Sequence, residues 1–226
     1  MPPGRSQAIL KVEQARSDEA YDIHGDRHPA AEREETMLSL YVERGLTQRV
    51  TLQGKAAWID GEDDGRGYGG RGPLELGLRY LAYQDARTAV SVYVGVIDAG
   101  RGRNAGYADP GVGGTDVEAR VLAGRSFRVL QRPAFAEAQV ARLARADLSA
   151  ETRLDLTLGV EPTPDWLLMV QSYAGEADVG SRWVKLETSA VRRFGAWRIQ
   201  AGWRFSLAGR AGPAEQGPAL GLWRAF

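Results

Sequence analysis

Cysteine is absent from the 226 residues, and histidine is limited to His24 and His28. The first absence excludes disulfides, thiolate catalysis and Cys-ligated zinc or iron–sulfur centres. It also fits an oxidising compartment, where a free thiol is a liability. Two histidines leave little material for imidazole metal ligation or acid–base catalysis, and the sequence calls for no cofactor and no metal. A charge excess is lacking too, because 29 Lys and Arg balance 29 Asp and Glu. That balance creates no global field to steer nucleic acid, which is not an expected partner. Long apolar runs are missing as well. No stretch approaches the ~18 residues of a transmembrane helix.

What the chain has instead is a succession of strand-like runs of about ten residues, separated by turn-rich segments. They are Gln7–Arg16, Thr36–Arg44, Arg49–Asp60, Leu74–Tyr83, Thr88–Asp98 and Asp116–Phe127. Ala134–Leu143, Thr152–Glu161, Trp166–Gly175, Arg182–Arg192, Trp197–Ala208 and Pro218–Phe226 follow. Polarity alternates within them. Val90, Val92, Val94 and Val96 oppose Ser91, Tyr93 and Gly95. Leu154, Leu156, Leu158 and Val160 oppose Arg153, Asp155, Thr157 and Gly159. A period of two specifies strands and argues against helices.

The connections alternate in length. Short ones lie at Gly45–Gln48, Gln84–Arg87, Arg128–Pro133, Pro162–Asp165 and Phe194–Ala196. Longer polar ones lie at Ser17–Glu35, Gly61–Pro73, Ala99–Thr115, Ala144–Glu151, Glu176–Ser181 and Gly209–Gly217. With an even number of strands, this rhythm places both termini and all short turns on one side. Neither a domain boundary nor an internal repeat interrupts it, so residues 1–226 read as one domain.

The face opposite the apolar one is heavily charged. Lys11, Glu13, Glu43, Lys55, Glu75, Arg79, Glu118, Arg120, Glu137, Arg153, Asp155, Lys185, Glu187, Arg198 and Arg204 fall on it by parity. A soluble barrel would have to fill its interior with the apolar side chains. About eight strands already leave only enough room for that, and twelve enclose more. The inverted arrangement resolves the conflict, with apolar residues in lipid and charges in a water-filled lumen. The expected fold is therefore all-β, a closed antiparallel up-and-down transmembrane barrel of about twelve strands. Trp58, Trp166, Trp183, Trp197, Trp203 and Tyr80, near strand ends, are candidates for aromatic girdles at the membrane interfaces.

The chain closes with Gly-Leu-Trp-Arg-Ala-Phe226. Here it resembles outer-membrane β-barrel proteins of Gram-negative bacteria, and in particular small porin-like barrels ending in Gly-x-Trp-Arg-x-Phe. The resemblance implies residence in the outer membrane, with the lipid bilayer as surroundings and the short turns on the periplasmic side. It also implies that Leu220, Leu222 and Phe226 form the signal read by the barrel-insertion machinery. Arg224 stands two residues before Phe226, where an apolar residue is common. The stretch MPPGRSQAILKVEQ has no basic region leading into an apolar one, so no signal peptide is visible. An outer-membrane location expects one to have been removed or to lie upstream of this start.

For function, the near-balance of inward charges points to cross-strand ion pairs around a wet lumen rather than to a one-sign selective wall. The expected lining comprises Lys55, Glu75, Arg79, Glu118, Arg120, Glu137, Arg153, Asp155, Lys185, Glu187, Arg198 and Arg204. Arg198, Arg204 and Lys185 are the best candidates for an anion-attracting stretch. A passive pore or transporter for a small hydrophilic solute leads, ahead of a closed structural or assembly-accessory barrel. An enzyme with a loop-rim site ranks third. Its only material is Asp22-Ile-His24-Gly-Asp26 with His28, and no serine has a nucleophile-elbow setting. Glu62, Asp63 and Asp64 lack the spacing of a calcium loop. Gly100–Gly106 misses the dinucleotide fingerprint and precedes no helix.

Overall fold

A computed structural model describes residues Met1–Phe226. The strands are β1 (Ser6–Tyr21), β2 (Arg27–Gly45), β3 (Val50–Asp63), β4 (Arg66–Gln84), β5 (Thr88–Asp98) and β6 (Thr115–Val129). After them come β7 (Arg132–Ala144), β8 (Glu151–Thr163), β9 (Trp166–Ala177), β10 (Arg182–Phe194) and β11 (Trp197–Arg210). The chain finishes with the two-residue β12 (Gly212–Pro213) and β13 (Gln216–Ala225). There are no helices. Each long strand pairs antiparallel with its sequence neighbour, and β1 pairs with both β2 and β13. The sheet thus closes on itself as an antiparallel barrel of twelve strands with β12 as a short adjunct. Closure leaves no strand edge with unpaired backbone groups, which is the condition for a sheet to sit in hydrocarbon.

Alternation decides which face is which. On β5, Val92, Val94 and Val96 are exposed while Tyr93 and Gly95 are buried, and Val90 continues the outward row at intermediate exposure. On β8, Leu154, Leu156 and Leu158 are exposed and Asp155 and Thr157 are not. Leu76, Leu78, Val121, Val140, Leu168, Val170, Ile199 and Leu220 extend this exposed apolar surface around the barrel. A continuous apolar band of that extent would be untenable in water and is the surface of a membrane-spanning barrel.

The structure lengthens several elements. β1 and β2 run toward each other through most of Ser17–Glu35 and leave only the turn Asp22–Asp26. Likewise Gly61–Pro73 is strand on both sides of a tight turn at Asp64 and Gly65. These segments are polar because they project past the membrane. Their ladder hydrogen bonds hold them as strand where composition alone reads as loop.

Trp58, Trp166, Trp197, Trp203 and Tyr80 face outward and are exposed. Trp183 does not join them, because parity puts it on the inner face with Lys185 and Glu187, packed over Gly175. The interior also holds apolar side chains, with Ile59, Leu122, Leu143, Met169 and Val191 all buried.

Candidate functional site

The inner face of the barrel is built from the inward positions of consecutive strands. Lys55, Glu75, Arg79, Glu118, Arg120, Glu137, Arg153, Asp155, Lys185, Glu187, Arg198 and Arg204 all occupy inner-face positions, alternating with the exposed row. The structure gathers most of them into separate networks.

The first network centres on Glu187 of β10, whose side chain is fully buried. It accepts from Lys11 Nζ at 3.2 and 3.3 Å, from Arg204 at 2.6 and 2.9 Å, and from Gln200 Nε2 at 3.1 Å. Arg204 also lies 2.5 Å from Glu13, and its guanidinium stacks 4.6 Å from the Tyr173 ring centroid. Two carboxylates are therefore matched by two cations at one point of the wall. A charge held away from bulk water needs such partners.

The second network centres on Arg120 of β6. Its guanidinium donates to Glu118, to Gln139 Oε1 at 3.2 Å, and approaches Glu75 at 3.8 Å. Tyr93 donates to Glu75 at 2.6 Å and carries Arg120 4.9 Å above its ring, while Gln139 donates to Glu137 at 2.5 Å. Nearer the short turns, Arg79 pairs with Glu43 at 3.1 Å, and Gln53 donates to Tyr41 at 2.7 Å.

A third network lies at the other end. Arg145, barely exposed, binds Asp116 at 3.1 Å and also Glu151, which in turn accepts from Arg153 at 2.6 Å. It ties down the connection between β5 and β6, residues 99–114, within one of the longer polar connections. That loop folds over the mouth of the barrel. Arg145 donates to the Asn104 carbonyl at 3.0 Å, and Tyr107 to that of Ser149 at 3.3 Å. Arg103 reaches back to β3 and donates to Asp63, which also accepts from Arg33 at 3.1 Å. Gly102 packs on Ile59, and Gly106 approaches Pro213. The loop is thus moored on β2–β4, on the β7–β8 connection and on β12.

The anion-attracting stretch does not form as expected. Arg204 is neutralised by Glu13 and Glu187, and Lys185 by Glu215. Arg198 sits apart, near Glu161, Asp165 and Arg193 at the short-turn end. The charged residues share the inner face with the neutral Tyr41, Gln53, Tyr93, Gln139, Tyr173 and Gln200, which follow the same parity. Arg103 and Arg145 lie in connections and carried no periodic signal, whereas Asp116 shares the inward parity of Glu118 and Arg120 on β6.

His24 and His28 are exposed in or beside the β1–β2 turn. The Asp22 carboxylate is occupied by the backbone amides of His24 and Asp26 at 2.7 and 3.0 Å rather than by an imidazole. The His28 ring faces the Pro29 carbonyl at 3.0 Å. No group of His, Asp and Glu side chains has the arrangement of a metal site.

No family profile and no curated protein matches this sequence. Solved structures do match in shape. An outer-membrane channel from Pseudomonas putida F1 superposes with a TM-score of 0.74 at 14% identity, covering 100% of this chain and 97% of the other. The KdgM porin gives a TM-score of 0.61 at 5% identity over 96% and 99% of the two chains. The NanC porin gives 0.56 at 10% identity over 95% and 98%. At such identities the likeness is one of architecture, and the architecture of this chain is that of the bacterial outer-membrane β-barrels.

Proposed function

We propose that this chain is an integral outer-membrane barrel acting as a passive pore or transporter for a small hydrophilic solute. The observation that carries this reading is the wall itself. An apolar exterior band encloses an interior whose charges are matched in pairs across neighbouring strands. Such a lining offers hydrogen-bonding partners that replace part of a solute's hydration while presenting little net field of its own. The loop moored across the mouth narrows the entrance. Three neighbours in shape carry the names channel or porin, and that supports the reading by analogy of fold. The Asp22 carboxylate is taken up by backbone amides rather than by an imidazole, which favours a passive role over a loop-rim enzyme.

In this reading the bilayer is the principal partner. Leu220 and Leu222, on the outward row of β13, and Phe226, just beyond its end, form the signal for the insertion machinery.

The test is single-channel recording in planar bilayers, with wild-type protein and a variant in which residues 101–112 are replaced by a short Gly-Ser linker. Stepwise openings in the wild type, enlarged in the variant, are expected. Silence from both, with correctly folded barrels, would instead establish a closed structural barrel.

A further inference from the structure

The two ends of the barrel treat their arginines differently. At the long-loop end four outward arginines have carboxylate partners, while Arg182, beside Arg210, has none. Arg16 pairs with Glu34 at 2.8 Å, Arg142 with Asp178, Arg210 with Glu176 at 3.1 Å, and Arg71 with Asp98. At the short-turn end the outward arginines have none. Arg192, Arg224, Arg5, Arg44 and Arg49 form an arc from β10 through β13 and β1 to β3, and all are exposed. The outward positions among them are filled by Phe194, Trp197, Leu222, Phe226, Val42, Leu46 and Leu52, without a single acidic side chain.

Two of these arginines are held by aromatic rings. The Arg192 guanidinium lies 4.7 Å from the Phe194 centroid and 5.4 Å from that of Trp166. Arg224 lies 4.6 Å from Trp197 and 4.9 Å from Phe226. Stacking occupies the face of the guanidinium and leaves its edge, with the N–H donors, free to meet an anion. Arg192 and Arg224 stand two strands apart on β10 and β13, with β11 between them, so they flank a region roughly 10 Å wide. Below it is water and above it the apolar band begins. That is the depth of the phosphates in the leaflet next to the short turns.

We propose that this arc, with Arg192 and Arg224 as its clamps, is a binding site for the headgroup of a net-negative phospholipid. Charge complementarity selects the ligand, because the arc has uncompensated positive charge and sits at headgroup depth. The exposed apolar residues above it receive the acyl chains. The matched pairs at the loop end confer no such preference. The site is independent of whether the lumen conducts.

The experiment reads quenching of lipid-facing tryptophan by brominated lipid. A W58F/W203F background keeps Trp166 and Trp197 as exterior reporters beside the arc. Vesicles contain either brominated phosphatidylglycerol or brominated phosphatidylcholine, diluted in unbrominated phosphatidylcholine. Preferential quenching by phosphatidylglycerol is expected, falling toward parity as salt is raised. Each arginine near an anionic surface contributes roughly a fivefold preference, so R192Q/R224Q should lose most of the selectivity and R142Q/R210Q should keep it. If R192Q/R224Q fails to fold, the salt dependence of the background protein decides alone. Equal quenching by the two lipids at low salt would overturn the proposal and leave the arc to an acidic macromolecule. So would selectivity that survives R192Q/R224Q but vanishes in R142Q/R210Q.

Discussion

Arg103, in the connection between β5 and β6, donates to the carboxylate of Asp63 on β3, and so pins that connection to the rim of the barrel. The same guanidinium donates to the Ala108 carbonyl, so one side chain both shapes the loop and anchors it. Charge-assisted hydrogen bonds of this kind contribute about 1.5–3 kcal/mol. Arg103→Ala should raise the population of loop-displaced barrels by at least about tenfold, since each 1.4 kcal/mol is a factor of ten. Faster proteolysis between residues 101 and 112, together with larger single-channel steps, is the expected result. Unchanged protection of the loop would show that Arg145 and Tyr107 hold it unaided.

Glu187 is the hub of the first network. Replacing it with Gln leaves Lys11 and Arg204 facing each other with one carboxylate, Glu13, between them. Breaking a buried pair from one side costs about 3–5 kcal/mol. Urea unfolding of E187Q in lipid vesicles should show a loss of that order. E176Q, whose partner Arg210 is exposed, should show less than about 1 kcal/mol.

Tyr93 lies flat across the wall because its flanking positions have no side chains. A Cβ at Gly77 would stand 2.4 Å from the Tyr93 hydroxyl, and one at Gly95 2.2 Å from it. G77A should therefore displace the ring, break its 2.6 Å bond to Glu75 and destabilise the barrel by about 1–3 kcal/mol. In a Y93F background only the steric part remains, and the difference between the two losses measures the hydroxyl.

Leu156 points to lipid and Thr157, beside it, to the lumen, where it accepts from Gln171 at 3.3 Å. A basic residue at mid-membrane on the lipid face costs about 2–4 kcal/mol and Asp somewhat less. Leu156→Asp should then be the more damaging of the pair, and Thr157→Asp close to neutral. Heat-modifiable gel migration after folding reports both. Equal damage from the two would contradict the assignment of faces.

Asp85, in the turn between β4 and β5, accepts from the amides of Arg87 and Thr88, each at 2.7 Å, and from the Tyr83 hydroxyl at 3.0 Å. These donors, the Arg87 amide foremost, hold its carboxyl below the ordinary value of 3.8. A lowered folded-state pKa stabilises above the unfolded value, and that contribution disappears as pH falls through the folded value. Stability should decline below about pH 4, and D85A should remove this part of the decline. Carboxyl carbon NMR titration of Asp85 gives the folded value directly.

The local pattern was legible in the residues alone. A period of two along Val90–Val96 and Leu154–Val160 assigns a face to every residue, because successive side chains must leave a strand on opposite sides. The short–long connections then fix antiparallel order, and Lys55, Glu75 and Arg204 follow their strands inward without any knowledge of partners. What parity cannot express is which inward groups meet. The convergence of Lys11, Gln200 and Arg204 on Glu187 depends on the stagger of strands far apart in the chain. So does the pairing of β1 with β13. Trp183 shows the limit from another side, since an aromatic near a strand end reads as interfacial until parity and Gly175 place it indoors. The loop of residues 99–114 is the clearest case. Its Gly-rich, aperiodic composition permits many paths, and only the closed barrel brings Asp63, Ser149 and Arg145 to where Arg103, Asn104 and Tyr107 can bind them.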